Sequence, residues 1–199
     1  MLSEIYTKYF REKREHMPYT CIVKQGNLLD EKATFIVNAS NTALQLGSGV
    51  SAAFKKTCGI ELQDEMLHKL LSLERKLQKG DVIATSSGRA SHFNYALHAA
   101  VMDYNQGTRY PEKQPSLDDI RIILENIEPY LQWYHTQHPH EKITLALPLL
   151  GCGVGGLDKQ AVLHLYKTHF QRQVPFEFYT TIYTYNHKDY QLAQKICFG

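Results

Sequence analysis

The segment ITLALPLLGCGVGGLDKQAVLHLYKTHF, residues 143–170, decides the fold class. It opens with an apolar run that predicts a strand, and a helical pattern of apolar residues begins after Asp158. Four of the six residues between positions 151 and 156 are glycines. Glycine adds no side chain to a core and gains backbone freedom on unfolding, so these residues serve something other than packing. We expect a loop that turns sharply or lets a ligand approach the backbone.

The same order of strand, glycine loop and helix occurs earlier in the chain. ATFIVNAS, residues 33–40, is a continuous apolar run that predicts a strand buried on both faces. LGSGVSAAFKKTCG, residues 46–59, predicts a glycine-bearing turn, and IELQDEMLHKLLSLERKL, residues 60–77, predicts a helix. The inner face predicted for this helix consists of Ile60, Met66, Leu67, Leu70, Leu71 and Leu77.

The rest of the chain continues the alternation of strands and helices. A helix is expected from about Leu117 to His135 with Ser116 as its N-cap, and another over residues 188–197. Further strands are predicted at residues 19–26, 80–87, 93–102 and 176–185. This order favours an α/β domain whose parallel or mixed sheet is covered on both faces. We expect one domain over residues 1–199, with residues 1–19 as an N-terminal helical extension.

Composition narrows the function classes. The formal net charge of the 199 residues is only +2, so bulk binding to nucleic acid is not supported. No apolar run is long enough to span a bilayer, and we expect no membrane partner. The four cysteines show no paired spacing, and the N-terminus shows no signal-peptide pattern. These features predict a reduced, cytoplasmic protein, which we expect to be a monomer.

Two glycine loops precede helices, at residues 38–51 and 149–158. In an open α/β sheet such loops meet at the carboxyl ends of the strands, where ligands bind. A helix N-terminus offers unpaired N–H groups to phosphate, so two facing loops indicate a diphosphate. The alternative is that each loop is only a turn. Neither loop has the Walker lysine motif, and the G-x-G-x-x-G spacing of GCGVGG comes too late for a dinucleotide fingerprint.

Three stretches in order resemble macrodomains. KQGNLLDEKATFIVNASNTALQLGSGVSAAFKKTCG, residues 24–59, is similar to the family's G-D-I/L, N-A-x-N and G-x-G-V series. GDVIATSSGRASHFNYALHAA, residues 80–100, and LALPLLGCGVGGLD, residues 145–158, resemble its next two segments. The resemblance implies a three-layer α/β/α sandwich with a mixed, largely parallel central sheet. It also implies binding of ADP-ribose, free or attached to a protein, without a further cofactor.

The resemblance also implies roles for individual residues. Asn41 would contact the distal ribose and position a water, Asn38 would tie the first loop together, and Tyr185 would lie against adenine. Tyr179 and Tyr183 remain alternatives to Tyr185. The remaining binding residues would be Asn27, Leu28, Ala39, Gly47, Ser48, Gly49, Val50, Ser51, Gly151, Cys152, Gly153, Val154, Gly155 and Gly156.

Three positions depart from the family pattern. Asn27 stands where the family has an aspartate that accepts a hydrogen bond from adenine, so that contact would lack charge assistance. Ser51 stands where many hydrolytic members carry an aspartate, and an unactivated hydroxyl is a poor proton acceptor. A separate branch uses a lysine–aspartate pair, and its aspartate position holds Gly155 here.

Most of the other reactive side chains are expected to have structural rather than catalytic or metal-binding roles. Asp103 is an acid–base candidate at a strand end, whereas His98 lies in an apolar strand and is expected in the core. Cys152 is expected to fill a crowded turn, because a nucleophilic thiol also needs thiolate stabilisation. No cysteine and no cluster of acidic residues accompanies His135, His138 and His140, so we predict no metal site.

Three functions therefore remain open. The first is an ADP-ribose-binding macrodomain that hydrolyses mono-ADP-ribose from proteins or deacetylates O-acetyl-ADP-ribose, with no general base assigned. The alternative is a non-catalytic reader of ADP-ribosylated proteins. The third is binding of poly(ADP-ribose) or RNA, which would weaken steeply with salt.

Overall fold

The computed structural model describes residues 20–47, 49–105, 107, 109–110, 112–172 and 175–198. The N-terminal extension predicted for residues 1–19 lies outside this range, as does Ser48. The strands are β1 (Thr20–Gln25), β2 (Ala33–Asn41), β3 (Val82–Ser86), β4 (Phe93–Met102), β5 (Ile143–Pro148) and β6 (Phe178–Thr184). The helices are α1 (Gly49–Cys58), α2 (Ile60–Leu71), α3 (Leu117–Gln137), α4 (Lys159–Phe170) and α5 (His187–Phe198). A 3-10 turn spans Leu28–Asp30.

The six strands form one mixed, mostly parallel sheet in the order β1-β6-β5-β2-β4-β3. Only β3 runs antiparallel to its neighbour β4. The carboxyl ends of β5, β2 and β4 therefore lie side by side at one edge. The predicted α/β class and the largely parallel sheet are confirmed.

Helices cover both faces of the sheet. On one face, α3, α4 and α5 pack over buried strand residues such as Phe35, Val37 and Leu97. On the other, α1 and α2 pack Phe54 and Met66 over Ile36, Ala96 and Ala146. The alternating side chains of β2 point to opposite cores, which explains why its sequence is apolar at almost every position.

Two details of the first predicted helix region are wrong. Residues 49–58 form the helix α1 rather than a turn, and Ser51, Phe54 and Cys58 lie on its buried face. The second helix ends at Leu71 rather than near Leu77, with Ser72 as its C-cap. Its buried stripe follows Leu62 and Met66, which leaves these residues of the predicted inner face exposed: Ile60, Leu67 and Leu71.

The N-cap predicted for the long helix is confirmed. The Ser116 hydroxyl accepts a bond from the Asp119 N–H, and the Asp119 carboxylate accepts one from the Ser116 N–H. This capping box satisfies two N–H groups that the helix itself leaves unpaired. It fixes the place where the chain leaves the loop that follows β4.

Candidate functional site

A cleft of about 270 Å³ opens at the carboxyl edge of the sheet. It lies between the ends of β2, β4 and β5, the start of α1 and the glycine loop after β5. Its described lining residues are Ala39, Ser40, Asn41, Gln45, Gly47, Gly49, Val50, Ser51, Val101, Met102, Tyr104, Pro148, Leu149, Gly151, Gly153, Val154 and Gly155. The two glycine loops predicted to face each other are therefore brought together.

Asn41 shapes the first loop. Its side-chain oxygen accepts bonds from the N–H groups of Ala43 and Gln45, at 3.1 and 3.3 Å, and its Nδ2 donates to the Gln45 carbonyl at 3.1 Å. Asparagine readily forms such turns with its own following backbone. An amide nitrogen carries two hydrogens, so Asn41 retains a second donor at the wall of the cleft.

A residue that sequence reasoning missed, Gln63, clamps the same loop from α2. Its side chain accepts from the Leu46 N–H and donates to the Leu44 carbonyl, both at 2.8 Å. These bonds hold Leu44 in the left-handed region, at a φ of 50°. An isolated glutamine within a helix gives no sequence signal for such a long-range role.

The second loop is anchored from behind by Tyr166 of α4. The buried Tyr166 hydroxyl donates to the Pro148 carbonyl at 2.8 Å and accepts from the Leu150 N–H at 3.0 Å. Burial raises the pKa of this phenol, so it stays a neutral donor. The anchor fixes the point where the chain leaves β5 and starts the glycine loop.

The glycines of this loop are required for different structural reasons, and one of them has no such reason. Gly151 and Gly156 have φ angles of 75° and 69°, which other residues rarely adopt. At Gly155 a Cβ would lie 2.6 Å from the Gly151 carbonyl oxygen and 2.7 Å from Pro115. Gly153 has neither a positive φ nor any heavy atom within 4 Å of a Cβ, and the same holds for Gly47 in the first loop. At these two positions the missing side chain leaves open space in the lining of the cleft.

The loop after β4 supports the glycine loop from its outer side. Pro115 packs against Gly155. With its amide nitrogen facing the loop, Gln114 donates to the carbonyls of Val154 and Gly155, at 3.2 and 3.0 Å. Tyr104, from the same segment, lines the cleft. From its polar sequence and its departure from the macrodomain pattern, this segment, residues 103–115, is predicted to be a surface loop that shapes the rim of the pocket.

A buried chain of hydrogen bonds runs beneath the cleft. Ser51 donates to the side-chain oxygen of Asn38, whose amide nitrogen lies 3.0 Å from Nδ1 of His98. An amide nitrogen can only donate, so Nδ1 accepts and the ring proton sits on Nε2, which lies 2.8 Å from the Thr85 hydroxyl. Burial lowers the pKa of His98 to about 3, so the ring is neutral. His98 is thus a core residue, as its apolar strand indicated.

Ser51 and Asp103 both have their polar atoms engaged in structural bonds. The Ser51 hydroxyl also lies 3.0 Å from the Ala39 carbonyl. Asp103 Oδ1 accepts from the Thr42 hydroxyl at 2.9 Å and from the Asn105 N–H at 2.8 Å. Asp103 is not among the lining residues of the cleft.

Cys152 is likewise turned away from the cleft. Its thiol donates to the Leu150 carbonyl at 3.6 Å, and burial raises its pKa to about 11. A thiol with such a pKa carries almost no thiolate at neutral pH. The described lining residues of the cleft include no carboxylate, imidazole, thiol or amine.

Asn27, Leu28 and Tyr185 lie on the β1 and β6 side of the same edge, outside the cleft lining. Gln25 pairs with Thr184, so Asn27 and Tyr185 follow neighbouring strand ends. Asn27 caps the 3-10 turn, accepting from the Leu29 N–H and donating to Asp30. Leu28 is buried in the core, whereas Tyr185 is 88% exposed.

The other two tyrosines considered for stacking have partners elsewhere. Tyr183 donates to Glu31, which also pairs with Lys24. Tyr179 lies near the opposite end of β6, where it donates to Glu177 and lies beneath the Lys142 ammonium. Among the three, Tyr185 is the exposed one, and it follows the carboxyl end of β6.

Two of the three histidines named as possible metal ligands stack on aromatic rings. His135 lies against Phe176 and His138 against Tyr134, with ring centroids 5.2 and 4.3 Å apart. Within the part of the chain that the structure describes, no group of three or more His, Cys, Asp or Glu side chains is placed to hold a metal ion. No helix in that part is long and apolar enough to cross a membrane.

Solved structures share this fold. The chain superimposes on the macrodomain of Oceanobacillus iheyensis with ADP at a TM-score of 0.72 and 19% identity, covering 91% of this chain and 92% of that one. The macrodomain of Trypanosoma brucei in complex with ADP-ribose gives a TM-score of 0.69 at 19% identity, covering 90% and 69%. At this level of identity the likeness establishes the fold.

Sequence comparison gives relatives of two kinds. An uncharacterized protein of Aeropyrum pernix is 27% identical over 140 residues, which is 68% of this chain and 62% of that protein. Protein mono-ADP-ribosyltransferase PARP9 of Mus musculus is 25% identical over 164 residues, 79% of this chain but only 18% of the mouse protein. The Macro domain family model matches residues 37–166, a span that includes the two glycine loops and the strands between them. The chain therefore belongs to the macrodomain family.

Proposed function

We propose that the cleft binds ADP-ribose, with the diphosphate held between the loop at Gly47 and the loop at Gly153. The observation that supports this most directly is the open space at both glycines, which neither backbone strain nor packing requires. The first turn of α1 adds unpaired N–H groups and a partial positive charge beside this space. A diphosphate needs such donors and no protein cation.

The same proposal assigns the two ends of the ligand. The distal ribose would lie at Asn41, a lining residue whose amide nitrogen has a second hydrogen to donate. Adenine would lie toward Asn27 and the exposed ring of Tyr185. The Asn27 oxygen already accepts a bond from the Leu29 N–H, so adenine would share this acceptor with the cap of the 3-10 turn.

Titration calorimetry with ADP-ribose, and with AMP and ribose 5-phosphate as controls, tests this proposal. We expect micromolar binding of ADP-ribose that Gly153→Glu weakens about tenfold or more, since a carboxylate would enter the phosphate space. The matched control is Gln137→Glu, which adds the same charge at an exposed position at the end of α3. Absence of ADP-ribose binding by the wild type, or equal loss in both variants, would refute the proposal.

Within this function, we favour recognition of ADP-ribosylated proteins over their hydrolysis. The described cleft lining holds no carboxylate or imidazole, and the Ser51 proton is committed to Asn38 and Ala39. A protein general base is therefore lacking among these residues. Such a cleft is suited to bind and release the modified partner unchanged.

Hydrolysis or deacetylation remains the second candidate, because Asn41 has an amide hydrogen available to hold a water near the distal ribose. Positioning alone contributes to rate when the reacting groups are fixed in line. The mechanism would then depend on a water held between Asn41 and the ligand's own phosphate.

Incubation with a mono-ADP-ribosylated protein and with O-acetyl-ADP-ribose separates the two candidates. The reader proposal predicts no release of ADP-ribose or acetate at saturating protein. Asn41→Asp is the informative variant, since it keeps the oxygen that accepts from Ala43 and Gln45 but replaces the donor. Turnover by the wild type that this substitution abolishes would establish the enzyme instead.

A further inference from the structure

Two cysteines lie close together beside the edge strand β1, near the amino end of the strands and away from the cleft. Cys21 is the second residue of β1, and Cys197 lies in the last turn of α5, which packs along β1 and β6. Both thiols are partly exposed, and they are hydrogen-bonded to each other. They line one pocket of about 220 Å³, together with Lys167, Gln171, Ile182 and Phe198.

The surroundings of this pair differ from those of the other two cysteines. Cys58 is fully buried, and burial raises the pKa of the Cys58 and Cys152 thiols to about 11. The bond with Cys21 lowers the pKa of Cys197, burial opposes this, and the Lys167 ammonium supports it. Lys167 is held in place by its bond to the Ile196 carbonyl at 2.8 Å. A partly exposed thiol beside a cation is the kind that reacts.

We propose that Cys21 and Cys197 are a redox-modification site that forms a reversible disulfide with small disulfides such as oxidised glutathione. The Cys197 thiolate attacks one sulfur of the reagent, forms a mixed disulfide and releases one glutathione thiolate. Cys21 then loses its proton and attacks the Cys197 sulfur, which expels the second glutathione thiolate. The two cysteines lose two hydrogen atoms in total, and one oxidised glutathione becomes two reduced molecules.

The disulfide would join the start of the sheet to the end of the last helix. Nearly all of the described chain lies between the two cysteines, so the link would restrict the unfolded state strongly. We expect the midpoint of thermal unfolding to rise by roughly 5–15 °C on oxidation. Because the pair lies away from the cleft, this inference does not depend on the proposed ligand.

Peptide mapping of the folded protein tests the site. After exposure to oxidised glutathione and alkylation, we expect a linked peptide containing Cys21 and Cys197, in a chain that remains monomeric on a non-reducing gel. Dithiothreitol should reverse both the link and the rise in midpoint. Cys197→Ser and Cys21→Ser should lose both effects, whereas Cys152→Ser is the control that keeps them.

Several results would overturn the inference. These are the absence of the linked peptide, a mixed disulfide that never closes, links only between separate chains, or an unchanged or lower unfolding midpoint. The wild-type measurement alone distinguishes these outcomes, so the test does not depend on the stability of the serine variants. The reduced midpoint of each variant provides its own baseline.

Discussion

At the scale of single residues, polar side chains in the core have their orientation fixed by their neighbours. Ser51, Asn38, His98 and Thr85 form a buried series of hydrogen bonds, and Thr85 ends the series by donating to the Ser86 carbonyl. Leaving one member of such a buried series unpaired costs about 1–3 kcal/mol. The series therefore requires a neutral imidazole at position 98.

This requirement predicts a dependence of stability on pH. The folded pKa of His98 is about 3, whereas an unfolded histidine titrates near 6.5. As the pH falls, the unfolded chain takes up a proton at this histidine before the folded chain does. The contribution of neutral His98 to the free energy of unfolding is therefore complete above about pH 6.5 and declines as the pH falls toward 3. Between pH 7 and pH 5 we expect the free energy of unfolding to fall by about 2 kcal/mol from this residue.

Urea unfolding of the wild type and of His98→Gln at both pH values measures the effect. The glutamine variant has its own lower stability. Its change in free energy of unfolding between pH 7 and pH 5 should nevertheless be about 2 kcal/mol smaller than that of the wild type. His169, whose pKa burial and Arg172 lower to about 4, contributes a similar loss in both proteins and cancels in the comparison. An equal pH difference in the two proteins would contradict the assignment.

At the scale of elements, the loop after β5 contains glycines in opposite surroundings, one enclosed and one open. Gly155 is enclosed by the Gly151 carbonyl and Pro115, while Gly153 faces open space. The loop is held by Tyr166 from α4 and by Gln114 from the segment that precedes α3. Its shape is thus set by three separate parts of the chain.

A matched pair of substitutions tests this division. Gly155→Ala should lower the free energy of unfolding by about 1–3 kcal/mol, because the new methyl group overlaps backbone and Pro115. Gly153→Ala should be neutral or stabilise by up to about 1 kcal/mol, because it restricts only the unfolded chain. Denaturant unfolding of both variants provides the measurement. An equal loss of unfolding free energy in the two variants would show that packing within the loop, rather than space for a ligand, explains why both positions are glycine.

At the scale of the whole molecule, the strand order brings the functional loops together. The carboxyl ends of β5 and β2 are neighbours in the sheet, although about 100 residues separate them in sequence. Alternation of strands and helices predicted the parallel sheet and its two covered faces. The 3.6-residue period failed to locate the end of α2, because residues 72–77 continue the pattern of leucines while the chain turns at Ser72.

The sequence by itself determined the class of fold and the two glycine loops, because apolar periodicity and glycine spacing are local properties of the chain. It also indicated that His98 belongs to the core. The family followed from the resemblance of three ordered motifs to macrodomains. Only the tertiary structure decided which glycines are enclosed and which are open, since enclosure depends on Pro115 and on strands far apart in sequence. For the same reason, the Gln63 clamp, the Tyr166 anchor and the meeting of Cys21 with Cys197 left no local signal. They arise from contacts between distant elements that the order of residues does not encode locally.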